Sequence, residues 1–243
     1  MKRVVLECKG RMANYLLCWA NAVHVLDQIG INNRLIVIVY PDLMEAVFPA
    51  GTFVKCREDA SKLPRVTRDT LGFQSGDCLW AWEDVYSNFP DGDTMKRIIQ
   101  TIKFPSDWTR PFLKECVGIH VRYGDYVQVD PLHPPDPMPP FPRATKEYYL
   151  NAVALCRELD PEATFFLASD GSAEELEFLS SQPNVDVGDE DEPLKDLFYL
   201  SCCRLIIGSE STYSRVAATY GDVPIVLPSM SAADIRRTIE GAS

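Results

Sequence analysis

The chain has 243 residues, 46% of them apolar, and a formal net charge of -11. That apolar share can bury a core for one large domain or two small ones, which excludes a disordered polymer. The acidic balance excludes a broad phosphate-neutralising surface for nucleic acid or anionic lipid, although an anionic small ligand can still sit in a locally basic pocket.

The opening MKRVVLECKG has no apolar run of signal-peptide length, and no stretch approaches the roughly 18 apolar residues that span a bilayer, so the expectation is a cytoplasmic protein. Strand RVVLEC, loop KGRMAN, an apolar-rich helix from Tyr15 to about Ile29 and strand RLIVIVY then read as a β-α-β unit. Residues 57–112 are less regular and carry Trp80, Trp82 and Trp108. A domain boundary is expected near 105–115, giving an amino-terminal domain 1–110 and a carboxyl-terminal domain 111–243. From there the rhythm resumes: strand 116–122, a helix near 145–159, strand TFFLAS, a helix near 172–181 and a short strand around NVDV. A helix near 194–203, strand RLIIG, a helix near 211–220 and strand VPIVL complete it. Such alternation predicts an α/β protein with parallel sheets flanked by helices. The segment PLHPPDPMPPFP at 131–142 holds seven of the 18 prolines, so it reads as an extended loop, either a lid or a rigid connector. The acidic GDEDEP at 188–193 reads as a solvated turn. The eight cysteines are scattered through apparent strands and helices without a C-x-x-C pair, so they read as reduced and mostly buried; Cys202 and Cys203 are the one adjacent pair.

Chemistry concentrates in the second half. In CVGIHVRYGDYVQVD, Val117, Ile119 and Val121 alternate with Gly118, His120 and Arg122, and the strand runs into a Gly-Asp turn. A guanidinium at that strand end can hold a phosphate through two parallel hydrogen bonds. In GSESTYSRVAATYG a strand passes into a helix, so Ser211, Thr212 and the first N–H groups either cap the helix or face an anion. Asp196, near a helix start in KDLFYLSCCRLIIG, either caps that helix or accepts two N–H bonds from a guanine edge.

Taken in order, these motifs resemble the fucosyltransferases. IHVRYGDYV is similar to the H-x-R-x-G-D-Y motif of the α-1,2-fucosyltransferases, FFLASDGSAEELEFL resembles their next strand, and DLFYLSCCRLIIGSESTYSRVAATYG followed by VPIVLP resembles their final Asp-to-Ser motif. KGRMANYLLCWANAVHVL is similar to the Gly-x-x-x-Asn loop and helix of the same superfamily, in the Gly-Arg-x-x-Asn form of the protein O-fucosyltransferases. The resemblance implies a GT-B-like architecture of two Rossmann-like domains, with the carboxyl-terminal one binding GDP-fucose as donor substrate and no cofactor or metal. It further implies that Arg122 holds the β-phosphate with His120 beside it, that Asp196 reads guanine, that Ser211 and Thr212 meet the phosphates, and that Asp170 lies near the nucleoside. Gly10, Arg11 and Asn14 would border the sugar. The chain departs from the pattern at Glu210, which stands where the α-1,2 enzymes carry Asn, and at Tyr123, which replaces a second Arg.

The implied reaction is inverting transfer of fucose to a hydroxyl of a glycan acceptor. Asp125, on the turn after Arg122, either serves as general base or braces that turn, and Glu7, at the end of the first strand, is the other carboxylate for the role. Three alternatives remain at this stage. One is a metal-dependent transferase using the Asp-x-Asp triplets at 91–93 or 189–191; another uses GDP-rhamnose or GDP-mannose; a third is a non-catalytic nucleotide-sugar or glycan-binding module.

Overall fold

A computed structural model describes residues 2–6, 12–31, 34–39, 52–55, 63–66, 78–80, 91–123, 144–188 and 192–242. The chain divides into two compact units, Met1–Trp108 and Thr109–Ser243. In the first, β1 (Lys2–Leu6), α1 (Met12–Gln28) and β2 (Arg34–Val39) form the expected β-α-β unit, followed by β3 (Thr52–Lys55), β4 (Arg65–Val66), β5 (Cys78–Trp80) and α2 (Gly92–Ile99). The strands lie in the order β3-β2-β1-β5-β4, and every pairing is parallel. Val4, Val5, Leu6 and Trp80 are buried, as are Leu16, Trp19 and Val25 on α1. Adjacent strand residues are buried together because a parallel sheet covered on both sides has no polar face to alternate with.

The Asp-Gly-Asp triplet at 91–93 is a helix start. Asp91 is the N-cap of α2 and its Oδ1 accepts the Thr94 N–H at 3.0 Å, while Met95 and Ile99 turn one face of this amphipathic helix inward. The capping bonds, from Thr94 foremost, lower the Asp91 pKa.

The second unit holds β6 (Val117–Val121), α3 (Lys146–Leu159), β7 (Phe165–Ser169), α4 (Ala173–Ser180) and β8 (Val185–Val187). It continues with α5 (Pro193–Cys202), β9 (Leu205–Ile207), α6 (Thr212–Gly221), β10 (Ile225–Val226) and α7 (Ala232–Ala242). Its parallel sheet runs β10-β9-β6-β7-β8, so the strand order reverses between β6 and β9. All five residues of β6 are buried. Val117, Ile119 and Val121 pack with Tyr149 and Val153 of α3, with Leu179 of α4 and with Ile239 of α7. On the other face Gly118 lies beneath Leu200 and Cys203, and His120 beneath α6. Two α/β units with helix-flanked parallel sheets make this the GT-B-like, Rossmann-type architecture. The helices α2 and α7 are additions to the sequence expectation.

Candidate functional site

In open parallel sheets, ligands bind beyond the carboxyl ends of the strands at the point where the strand order reverses. Here that point is the β6–β9 boundary. Ile119 pairs with Ile207, so the next residues out, His120 and Gly208, emerge side by side. Gly208 has no Cβ for a steric reason: one would lie 2.9 Å from the Ser214 Cβ, so its absence lets α6 close onto the strand end.

The result is a buried polar cluster. His120 Nδ1 lies 2.7 Å from Ser214 Oγ, 3.0 Å from Ser209 Oγ and 3.4 Å from Ser211 Oγ. Ser209 Oγ donates to Ser211 Oγ, and Ser211 Oγ accepts the Ser214 N–H as the N-cap of α6. The imidazole stacks on Tyr213, with ring centroids 4.6 Å apart. Burial lowers the His120 pKa to about 3, against an opposing pull from Asp170, so the ring is neutral at physiological pH. A neutral ring can donate from one nitrogen and accept at the other, and three hydroxyls that can reorient satisfy either tautomer.

Beside it, the strand end is braced. Val121 pairs with Ser169, placing Arg122 next to Asp170. Arg122 Nη1 donates to Asp170 Oδ2 at 2.5 Å, and the Tyr123 N–H donates to Asp170 Oδ1 at 2.7 Å. Ser169 Oγ donates to the Val121 carbonyl at 2.8 Å and accepts the Gly171 N–H at 3.0 Å. Tyr123 is buried in the core and its O–H donates to the Glu175 carbonyl at 2.9 Å. A tyrosine anchored in the core thus supports the strand end where related motifs use a second arginine.

Asp196 is buried in the first turn of α5. Its carboxylate lies against Gly188, where a Cβ would come within 2.3 Å of Oδ2, so the absent side chain leaves the space that the carboxylate fills. It lines a pocket of about 260 Å³ with Phe112, Phe166, Asp186, Val187 and Tyr199. Tyr213, stacked on His120, reaches the start of α5, the helix that carries Asp196. Its O–H donates to the Pro193 carbonyl at the start of α5, and its pKa is raised by burial first and then by the charges of Asp196 and Asp170.

Of the expected residues, the structure brings together His120, Arg122, Asp170 and Ser211, with Thr212 at the first position of α6; Asp196 lies apart, buried in the first turn of α5. Asp170, expected near the nucleoside, has both carboxylate oxygens turned to the β6 end. Asn14 lies in the first turn of α1, in the other unit. Gly10, Arg11, Asp125 and Glu7 lie outside the described residues, as do the 131–142 loop and the 189–191 triplet. Glu210 points away from the cluster. Its carboxylate accepts from Arg215 at 2.7 Å, from the Ser229 N–H at 3.1 Å and from the Ser229 hydroxyl; burial alone would raise its pKa, but these bonds together lower it. Among the described residues no three His, Cys, Asp or Glu side chains group to hold a metal ion, and no helix is long and apolar enough to cross a membrane. The six described cysteines are free thiols, five of them buried.

Sequence reasoning passed over Ser209, Ser214 and Tyr213. Their signal was the spacing in GSESTYS: Ser209 and Ser211 alternate as the strand runs out, and Ser214 sits one helical turn beyond the cap.

A protein-family model described as glycosyl transferase family 11 matches residues 82–234, more than half of the chain. Among solved structures, POFUT1 in complex with GDP is similar over 94% of this chain and 98% of its own, with a TM-score of 0.60 and 14% identity. NodZ alpha-1,6-fucosyltransferase soaked with GDP-fucose is similar over 93% and 94%, with a TM-score of 0.54 and 16% identity. For fucosyltransferase NodZ from Bradyrhizobium the shares are 96% and 95%, with a TM-score of 0.52 and 16% identity. At these identities the likeness is one of fold. No curated protein matches the chain.

Proposed function

The chain belongs to glycosyl transferase family 11, and from that premise we propose that it moves fucose from GDP-fucose to a hydroxyl of a glycan acceptor, with inversion and without a metal ion. The observation that carries the reading is that the His120–serine cluster and the Arg122–Asp170 pair flank the carboxyl end of β6, the strand beside which the second sheet's order reverses. Two structures of the same fold support it: POFUT1 was crystallised with GDP, and NodZ alpha-1,6-fucosyltransferase was soaked with GDP-fucose.

The barrier to such a transfer is charge separation. The acceptor oxygen bonds to the anomeric carbon as the bond from that carbon to the β-phosphate oxygen breaks, and GDP leaves with the electron pair. Arg122 is assigned to the β-phosphate, and the first N–H groups of α6, with Ser211 and Thr212, to the phosphates. Fixed donors aimed where charge develops need no reorganisation during the step. His120, neutral and buried, serves as a polar support behind them rather than as a proton carrier. Asp196 is assigned to the N–H edge of guanine. Gly10, Arg11 and Asn14 are assigned to the sugar, and Asp125, three residues beyond Arg122, to the proton of the acceptor hydroxyl. In this reading the amino-terminal unit serves the acceptor and the carboxyl-terminal unit the donor. Glu210, which stands where the α-1,2 enzymes carry Asn, has partners of its own in Arg215 and Ser229, which supports the catalytic reading over the binding module.

The test is a panel of GDP-fucose, GDP-mannose and GDP-rhamnose, each offered with a set of glycan acceptors, reading GDP release and glycan mass. The expected outcome is an acceptor-dependent mass gain of one fucose from GDP-fucose. Turnover of another donor in its place would reassign the sugar, and binding without turnover for every donor would return the module reading.

A further inference from the structure

We infer that Asp170 is a positioning residue for Arg122, setting the direction of its guanidinium towards the β-phosphate; this rests on the assignment of Arg122 proposed above. Three observations converge. First, the carboxylate bridges two consecutive groups of the β6 end, the Tyr123 N–H at Oδ1 and Arg122 Nη1 at Oδ2, so the backbone and the side chain are fixed by one rigid plane. Second, Asp170 cannot drift from that position, because Ser169 ties β7 to the Val121 carbonyl and takes the Gly171 N–H on the other side. Third, the Arg122 side chain is only 12% exposed, so its direction is set by these partners rather than by water.

The physical consequence is specific. A long arginine side chain loses rotamer freedom when it grips a phosphate, and one already held by a carboxylate has less to lose. The partner also offsets the arginine's charge, so what Asp170 contributes is the orientation of the planar fork, not extra positive potential. Asp170→Asn tests this. The amide oxygen can still accept the Tyr123 N–H, but the amide nitrogen then faces the guanidinium donor to donor.

The readout is the ratio of GDP to GMP affinity by calorimetry, because only GDP carries the β-phosphate. In the unaltered protein GDP is expected to bind more tightly than GMP. In Asp170→Asn the expected result is a loss of about tenfold or more in GDP affinity, the scale of one charged hydrogen bond, with GMP affinity unchanged. In an Arg122→Lys background the same change should do little further to the ratio. Asp170→Glu, which keeps the carboxylate but displaces it by one methylene, should fall between. Equal loss of GDP and GMP affinity, an unchanged ratio in Asp170→Asn, or failure of both Asp170 variants to fold would overturn the inference and leave Asp170 as a nucleoside contact or a fold-holding residue. Equal affinity of the unaltered protein for GDP and GMP would instead sink the assignment of Arg122 itself.

Discussion

Arg122 and His120 lie two residues apart, yet their surroundings differ: one is ion-paired with Asp170 and the other is buried among serines. Arg122 is ion-paired at the carboxyl end of β6, so in the proposed mechanism its contribution to a leaving phosphate depends more on the shape of its fork than on net charge. Lysine keeps the charge and loses the fork. Arg122→Lys is therefore expected to lower kcat on the order of 10²–10³, about 3–4 kcal/mol, the scale for losing one preorganised donor. Thermal unfolding should stay nearly unchanged; normal turnover in this variant would place Arg122 outside the chemistry. His120 is buried and neutral, which links it to stability instead. Unfolded, the imidazole binds its proton near pH 6.5, and folded only near pH 3. Between those values the unfolded chain holds more protons, so this contribution is complete above pH 6.5 and is lost as pH falls towards 3. Urea unfolding should show about 2 kcal/mol of stability lost from this group between pH 7 and pH 5. His120→Gln should show that much less acid sensitivity, and an identical pH dependence in the two proteins would mean that the ring titrates alike in the folded and unfolded chains.

At the scale of elements, α3 acts as a clamp on strand ends. The Tyr148 O–H lies 3.0 Å from both the Gly208 and the Val226 carbonyls, at the ends of β9 and β10, and the Tyr149 O–H donates to the His120 carbonyl at 3.3 Å. Adjacent tyrosines on one helix thus tie three strands at the edge that carries the site. Burial, with a smaller push from Glu210, keeps the Tyr148 phenol protonated and able to donate. Tyr148→Phe keeps the ring and removes the donor, so urea unfolding should report a loss of about 1–2 kcal/mol. A change below a few tenths would show the hydroxyl to be idle. The clamp also marks what a sequence can and cannot tell. β1, α1, β2, β6 and β7 were readable because each carries enough apolar residues at a strand or helix period, and the short β8, β9 and β10 because each follows a recognisable helix. β4 and β5 have two and three residues, too few to establish a period, and α7 buries only Ile239 among charged neighbours. The site divides in the same way. His120 and Arg122 stand on a legible strand, whereas Ser209, Ser214 and Tyr213 join them only because the parallel register sets Gly208 beside His120. The support from Tyr123 was equally hidden, since a tyrosine after Arg122 gives no sign of whether it points into the core or out to solvent.

For the molecule as a whole, a net charge of -11 must coexist with the dianionic donor proposed for it. Long-range repulsion is screened over about 8–10 Å at physiological salt, so a few local donors at the sheet edge can decide binding. Those donors are Arg122 and the α6 terminus, and the proposal asks nothing of a metal. Turnover should accordingly persist in EDTA at close to its full rate, and complete loss restored by Mn²⁺ or Mg²⁺ would favour metal-dependent chemistry instead. The central claim is that this edge is built for a guanine nucleotide, with Asp196 buried at the base end and Arg122 at the phosphate end. The most direct measurement is a pair of calorimetric titrations with GDP and UDP, which share the diphosphate and differ in the base. A site with a buried carboxylate matched to guanine N–H groups should bind GDP at least about tenfold more tightly, because uracil leaves that carboxylate without its paired donors. Equal affinities would contradict the account.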